Sequence, residues 1–257
     1  MGGLPSLVNL LQADNDTSYH AVQAVAQFAA DERYRPMVAA EPGVIELTAL
    51  LGSQLPHVQQ CALSAIANVS FVASAVPPLA ASGALAQLGA LLFTNDGQVQ
   101  RMCLTAMCNL LGGAGGSLPA AADALLQVGG HMALLTQLSS PSPEAQSQAA
   151  MAIGHMCKYK PALQATVQAD AVPILARLLH SPSPSVQQQG VYALGQLAAE
   201  DATAANAIEL AGAVVPLTTL LLSTPSPDVK SQLTGTLANV VRGNWRSVFN
   251  VGGFQVI

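Results

Sequence analysis

The sequence has little charge, few aromatic side chains and no basic run. Only 9% of its 257 residues are charged and 4% are aromatic, whereas about a quarter of the residues in an average soluble domain are charged. The net charge is −5, and the nine lysine and arginine residues are scattered along the chain. Because a nucleic-acid surface needs clustered positive charge, we do not expect a nucleic-acid partner.

Catalytic and metal-binding patterns are also missing. The sequence contains no G-x-S-x-G, no H-E-x-x-H and no paired-carboxylate spacing, which are signatures of common hydrolytic and metal sites. The four cysteines form no C-x-x-C pair, and each falls in a segment with helical periodicity: Cys61, Cys103, Cys108 and Cys157. We therefore predict that the protein is not an enzyme and has no cofactor or metal. Unpaired cysteines of this kind favour an intracellular, cytoplasmic location.

One uncharged stretch is long enough to cross a bilayer. It runs from Phe71 to Phe93, and about 20 apolar residues suffice for a membrane span. The stretch is interrupted by Pro77, Pro78 and Gly83. It also aligns with segments elsewhere in the chain that carry more polar residues. We therefore predict no transmembrane segment.

What the sequence does have is an internal repeat. One line reads VQQCALSAIANVS from Val58, VQRMCLTAMCNLL from Val99, AQSQAAMAIGHMC from Ala145, VQQQGVYALGQLA from Val186 and VKSQLTGTLANVV from Val229, with a divergent copy from Thr17. Small and apolar residues recur at helical spacing, so each copy predicts one amphipathic helix. The eleventh position is polar in every copy: Gln27, Asn68, Asn109, His155, Gln196 and Asn239. Successive copies lie 41 to 46 residues apart, a period typical of stacked helical repeats.

A second, shorter apolar line precedes each long helix. It begins at Gly3, Gly43, Gly83, Gly130, Ala171 and Ala213. A further short segment lies before this line, so the pattern predicts three helices per repeat. Glycine tolerates the left-handed backbone that a sharp turn requires. We therefore predict that glycines mark the turn into the second helix, some with positive φ: Gly3, Gly43, Gly83, Gly130 and Gly212.

Together the two lines resemble the armadillo repeat family. The shared pattern is Gly, I/V-P-x-L-x-x-L-L, a turn, and V-Q-x-x-A-x-x-A-L-x-N-L, and it covers essentially the whole chain. The resemblance implies an all-α fold, a right-handed α-solenoid of about six armadillo repeats with incomplete terminal repeats. We place the repeats in one solenoid, residues 1–257, at about 1–30, 31–70, 71–111, 120–159, 160–199, 200–242 and, in part, 243–257. A glycine-rich insertion between repeats is predicted at 112–119.

The resemblance also implies a function. Armadillo proteins are typically non-catalytic interaction scaffolds, and an asparagine column on their concave groove bonds the backbone of an extended segment. The match gives Asn68, Asn109 and Asn239, with Gln27, His155 and Gln196 as polar substitutes in the same column. We add three neighbours to the predicted partner-binding groove: Tyr192, Lys158 and Arg242. The other interpretation of the asparagines is that they bond neighbouring backbone within the solenoid.

The predicted groove differs from two well-known armadillo types. Nuclear-import adaptors carry tryptophan four residues before the asparagine, and no tryptophan occupies that column here. The catenin-like groove is rich in lysine and arginine, whereas here only Lys158 and Arg242 fall three residues after the column. We therefore expect a protein or peptide partner that is neither strongly acidic nor strongly basic.

Three further interpretations remain open at this stage. The apolar ends of the repeat pattern suggest a fragment, or ends that meet neighbouring subunits, as in a structural component of a large assembly. A ciliary axoneme or a membrane-associated complex would be such an assembly. An enzyme's regulatory region, with its catalytic part beyond Ile257, is the third.

Three turns carry tandem Ser/Thr-Pro pairs before a long helix. In each turn the serine of the second Ser-Pro pair is predicted to be an N-cap, because the following proline is well suited to the first helical position. These serines are Ser142, Ser183 and Ser226. Phosphorylation of the same serines is the alternative interpretation, since a helix N-terminus favours negative charge.

Overall fold

A computed structural model describes residues 3–11, 15–113 and 118–243. Within these ranges the chain forms seventeen α-helices and one 3-10 turn, and it contains no strand. The chain divides into two compact units, Met1–Ala133 and Leu134–Ile257. The all-α prediction is confirmed.

The first unit contains the helices of the first three repeats. The first repeat has two helices, α1 (Gly3–Leu10) and α2 (Asn15–Ala30). The second has three: α3 (Arg35–Val38), α4 (Glu41–Leu50) and α5 (Pro56–Val69). The third has a 3-10 turn (Ala73–Ala75) followed by α6 (Val76–Ala81), α7 (Ala84–Leu91) and α8 (Gly97–Gly113). Helix α9 (Leu118–Gln127) completes this unit, and α10 (Gly130–Gln137) crosses its boundary.

The second unit contains the remaining helices. Helix α11 (Pro143–Met156) is followed by α12 (Lys160–Gln168), α13 (Ala171–Leu178) and α14 (Pro184–Glu200). The last triplet is α15 (Ala202–Leu210), α16 (Val214–Ser223) and α17 (Pro227–Gly243). The described part of the chain thus shows three helices per repeat from the second repeat onward, as the sequence predicted.

The long third helices hold the core of each unit. In the first unit α2 packs on α5 and α5 on α8, and in the second unit α11 packs on α14 and α14 on α17. The long helices bury apolar residues against one another, as with Leu63 and Ile66 of α5, which are completely buried. The predicted helical periodicity therefore corresponds to the packing face.

The cysteines are free and contribute to these cores. Cys103, Cys108 and Cys157 are buried and Cys61 is half-buried. Burial raises the pKa of the Cys103 and Cys157 thiols to about 12. The thiols therefore stay protonated at neutral pH and pack as small apolar groups, as expected from the sequence.

The uncharged stretch from Phe71 to Phe93 is divided between the 3-10 turn, α6 and α7. In the ranges that the structure describes, no single helix combines the length and apolarity of a membrane span. Helices α15 and α16 satisfy those criteria only as a pair, bent by 83° at the break between them.

Two of the predicted turn glycines have the left-handed backbone. Gly83 has φ of 81° and Gly212 has φ of 72°. In the fourth repeat Gly130 begins α10, as predicted, and the left-handed residue is Gly129 just before it, with φ of 68°. In the fifth repeat Asp170 takes this role, with φ of 54°, because aspartate tolerates the left-handed region better than most residues.

Gly43 does not mark such a turn. Gly43 lies inside α4, where an added Cβ would stand 2.8 Å from the Val38 carbonyl oxygen. Its role is a close approach between backbones, so the turn prediction for Gly43 is wrong. Gly3 is the first residue of α1.

Replacing Gly83 by valine is expected to lower the free energy of unfolding by about 1–3 kcal/mol. An added Cβ at Gly83 would meet nothing within 4 Å, so the cost comes from forcing a β-branched residue to positive φ. Chemical unfolding followed by circular dichroism measures it. An unchanged midpoint would show that this turn does not depend on glycine.

The predicted insertion at 112–119 is narrower in the structure. Helix α8 continues through Gly113 and α9 begins at Leu118, so helices include both ends of the segment. Residues 114–117 lie outside the described ranges, as does the partial seventh repeat from residue 244.

The serines before the prolines differ in how they cap. The Ser142 hydroxyl accepts from the Ala145 amide at 3.3 Å, and the Ser226 hydroxyl accepts from the Val229 amide at 3.5 Å. Ser183 occupies the N-cap position of α14, but its side chain makes no capping bond. Ser142 and Ser226 are therefore confirmed as N-caps that bond the first turn of their helices. Ser183 takes the predicted N-cap position but lacks the side-chain hydrogen bond.

A recurring glutamine closes the turn before each of four long helices. Gln59 Nε2 donates to the Leu51 carbonyl oxygen at 2.7 Å, and Gln187 Nε2 donates to that of Ser181 at 2.9 Å. Equivalent bonds to turn carbonyls come from Gln100 and Gln146. The sequence signal was the glutamine after the first residue of the four copies that begin at Val58, Val99, Ala145 and Val186, which sequence reasoning did not interpret.

Candidate partner-binding surfaces

In the first unit the polar column lies at the edge of the core. Asn68 on α5 and Asn109 on α8 are half-buried, and Gln27 on α2 is exposed. The residues around Asn68, such as Ala67 and Val69, are buried. All three column side chains therefore reach the surface beside an apolar layer.

The two asparagines are partly engaged within the protein. Asn68 Nδ2 donates to the Ser64 carbonyl oxygen at 2.9 Å in its own helix. Asn109 Nδ2 donates to the Ser70 hydroxyl at 3.0 Å, and that hydroxyl donates to the Ala67 carbonyl oxygen at 2.7 Å. Each amide carries two N–H groups and one carbonyl oxygen. Each asparagine therefore keeps one N–H, and its oxygen accepts no bond from a described residue.

In the second unit the column is formed by His155 on α11, Gln196 on α14 and Asn239 on α17. All three side chains are half-buried. Asn239 Nδ2 donates to the Gly195 carbonyl oxygen at 3.4 Å. One N–H of this asparagine thus bonds the neighbouring long helix α14, and the rest of the amide remains available.

Arginines stabilise the C-terminal ends of two long helices. Arg242 Nη2 donates to the Ala199 carbonyl oxygen of α14 at 2.8 Å. In the first unit, Arg35 Nε donates to the Ala29 carbonyl oxygen of α2 at 2.9 Å. Helix C-termini expose unpaired carbonyls and carry partial negative charge, so both contacts are favourable. Arg242 was predicted to face a partner, whereas Arg35 was missed by sequence reasoning because it lies outside the column.

His155 forms a cluster with the other two predicted neighbours. The Tyr192 hydroxyl lies 3.1 Å from His155 Nδ1, and the two rings meet edge to face at a centroid distance of 5.5 Å. The Lys158 Nζ lies 6.0 Å from the centre of the Tyr192 ring. We call these three side chains the His155 cluster.

The His155 cluster depends on a glycine. An added Cβ at Gly154 would stand 2.5 Å from Tyr192 Cε1, so only glycine lets the ring pack against α11. Burial lowers the pKa of His155, and the nearby Lys158 ammonium lowers it further. The imidazole is therefore largely neutral at neutral pH.

The sequence and the structure resemble known helical-repeat proteins. HEAT repeats, a related class of helical repeat, match residues 132–238. No curated protein matches the sequence. An engineered protein of known structure is 29% identical, with a TM-score of 0.82 over 95% of this chain and 99% of its own.

Two other solved structures are similar to this chain in fold. A designed armadillo repeat protein in complex with the peptide (KR)4 is 24% identical, with a TM-score of 0.78 over 92% of this chain and 99% of its own. A structure concerning a phosphorylation switch in the interaction between cadherin and beta-catenin is 18% identical, with a TM-score of 0.82 over 96% of this chain and 47% of its own. The triplets of helices and these likenesses together show that the chain has the α-solenoid fold of armadillo repeat proteins, a fold typical of protein-binding scaffolds.

Proposed function

We propose that the protein is a non-catalytic interaction scaffold that binds an extended segment of another protein along its long helices. The observation that carries this proposal is the partly used amide at Asn68, Asn109 and Asn239. Each donates one hydrogen bond within the protein and keeps an N–H and an oxygen at a half-buried surface. One peptide unit of an extended chain offers the complementary carbonyl and N–H, whatever its side chain.

The spacing of packed helices suits an extended chain. Packed helices stand about 8–10 Å apart, and an extended chain rises about 3.3 Å per residue. Consecutive column residues would therefore meet about every third residue of the segment. The designed armadillo repeat protein in complex with (KR)4 gives a precedent for peptide binding by this fold.

The charges beside the column suggest that the partner is not strongly basic. Arg35 and Arg242 lie near the column, and each donates to the C-terminal carbonyls of a long helix. Lys158 is exposed. These three cations would repel a lysine-rich or arginine-rich segment, but they are too few to require a strongly acidic one. The four free thiols support our proposal of a reducing, cytoplasmic location.

Replacing Asn68 and Asn109 together by alanine is expected to weaken a partner of the first unit by about 1–3 kcal/mol, a roughly tenfold to hundredfold loss. The test is to recover partners from native extract with the wild-type chain, identify them by mass spectrometry, and measure their affinity for both proteins. Stability should change little, because alanine's better helix propensity offsets the two lost side-chain bonds.

The matched control replaces Gln54 and Gln98, two exposed amides outside the column, by alanine. This control should bind as the wild type does. Equal binding by all three proteins would contradict the proposed role of the asparagines. If the Asn68/Asn109 variant unfolds instead, the amides are structural.

A second candidate function is that of a structural subunit in a larger assembly, such as a ciliary axoneme or a membrane-associated complex. The observation that favours it is exposed apolar surface in the last repeat. Leu210 and Leu222 are 80% and 81% exposed, and Val215 is 57% exposed. Several large apolar side chains exposed within one repeat can mark a contact with another protein.

If these side chains meet other subunits, the isolated protein is expected to self-associate or bind a hydrophobic dye. Light scattering and dye fluorescence measure the two effects. Replacing Leu210 and Leu222 by serine should reduce both signals, whereas serine at the half-exposed Ile174 on α13 should not. A wild-type monomer that binds no dye would count against the assembly role.

A further inference from the structure

His155 departs from the other column positions in its contacts. The asparagines donate to carbonyl or hydroxyl oxygens, whereas His155 pairs with the Tyr192 side chain through Nδ1. This pairing leaves Nε2 without a bond to any described residue. Tyr192 also occupies space that an amide at this position would leave open, since its ring packs against Gly154. The surface near His155 is therefore unsuited to the peptide contact proposed for the amides.

The groups of the His155 cluster are donors with no acid among them. Lys158 is exposed and forms no ion pair within the described ranges. Helices α12 and α14 pack against α11, and their charged residues are Lys160 of α12 and Glu200 of α14, neither of which forms an ion pair within the described ranges. Lys160 of α12 interacts with Asp201, whose carboxylate also accepts from Thr203. Among the described residues, no carboxylate therefore lies within ion-pair distance of Lys158.

We propose that the His155 cluster is a specificity site that binds the carboxylate of an aspartate or glutamate side chain in the bound segment. Lys158 supplies the charge, and the imidazole donates a hydrogen bond from Nε2. The Tyr192 hydroxyl holds the ring in place through Nδ1. This inference rests on the proposed binding of an extended segment, and it adds one required acidic residue to an otherwise neutral partner.

Binding should depend on pH, and the sign follows from the cluster. In the free protein, burial and Lys158 lower the pKa of His155. A bound carboxylate favours the imidazolium and therefore raises that pKa. A ligand that raises a pKa binds the protonated form more tightly. Affinity for an acidic segment should thus increase as pH falls through the pKa of free His155, and weaken again near about pH 4, where the ligand carboxylate is protonated.

The test uses isotopically labelled full-length protein and two capped pentapeptides at millimolar concentration. One peptide has glutamate between two alanine pairs, and the other has glutamine at that place. Nuclear magnetic resonance follows the His155 ring and the Asn239 side-chain amide during a pH titration. We expect the glutamate peptide to raise the His155 pKa by about one unit, equivalent to about tenfold tighter binding to the protonated protein. The glutamine peptide should leave the pKa unchanged.

Two variants locate the carboxylate. Lys158→Gln should reduce the preference for the glutamate peptide, and His155→Asn should abolish its pH dependence. An equal pKa change with both peptides, or a pH dependence of glutamate-peptide binding that survives His155→Asn, would overturn the carboxylate site. If both peptides perturb Asn239 but neither moves the His155 pKa, the carboxylate site is wrong while segment binding stands. If no column residue responds to either peptide, both proposals fail.

Discussion

Leu194→Ala is expected to lower the free energy of unfolding of the second unit by about 2–5 kcal/mol. Leu194 is completely buried in α14, the helix that packs against both α11 and α17. Truncation removes contacts and leaves a cavity that the surrounding helices fill only in part. Since each repeat is stabilised mainly by its neighbours, loss of packing in α14 should weaken the interfaces on both sides.

Urea unfolding followed by far-ultraviolet circular dichroism measures this effect. The control is Leu222→Ala, which removes the same atoms from a side chain that is 81% exposed. The control should change stability by less than about 0.5 kcal/mol. Equal midpoints for the two variants would contradict the assignment of α14 as the centre of this core.

Much of the fold could be predicted because helical periodicity is a local property. The copies beginning at Val58 and Val186 place apolar residues on one face, and α5 and α14 bury that face. Turn conformation was harder to predict. Gly129 and Asp170 take positive φ where Gly130 and Ala171 had marked the segment start, because several neighbouring residues can accommodate one turn.

The contacts of the candidate site depend on distances between repeats, which the sequence does not contain. The repeat pattern places Asn109 at the eleventh position of its copy, where every copy has a polar residue. The structure adds that its side chain bonds the Ser70 hydroxyl. His155 and Tyr192 are 37 residues apart in sequence and belong to different columns of the repeat. Their contact arises because α11 and α14 approach closely at Gly154, and no one-dimensional pattern reports that approach.

Because of the close approach at Gly154, we expect a leucine there to lower the free energy of unfolding. A leucine at Gly235, which has no such neighbour, should raise it. In Gly154→Leu the new Cβ would stand 2.5 Å from Tyr192 Cε1 and 2.6 Å from Cδ1. The same Cβ would stand 3.4 Å from the Ala193 Cα, so the Tyr192 ring would have to shift away from α11 to admit the new side chain. Overpacking of this kind costs about 1–3 kcal/mol and occasionally more, so the variant should be less stable and should lose the bond between Tyr192 and His155.

Gly235→Leu is the matched control, because Gly235 is also a glycine within a long helix, α17. An added Cβ there would meet nothing within 4 Å. Leucine has the better helix propensity, so this variant should gain about 0.5–1 kcal/mol. Chemical unfolding of both variants gives the two signs. In a further variant, Tyr192→Ala should restore part of the stability lost in Gly154→Leu, because removing the ring makes room for the new side chain. If Gly154→Leu is as stable as Gly235→Leu, the tight contact between α11 and α14 does not exist in solution.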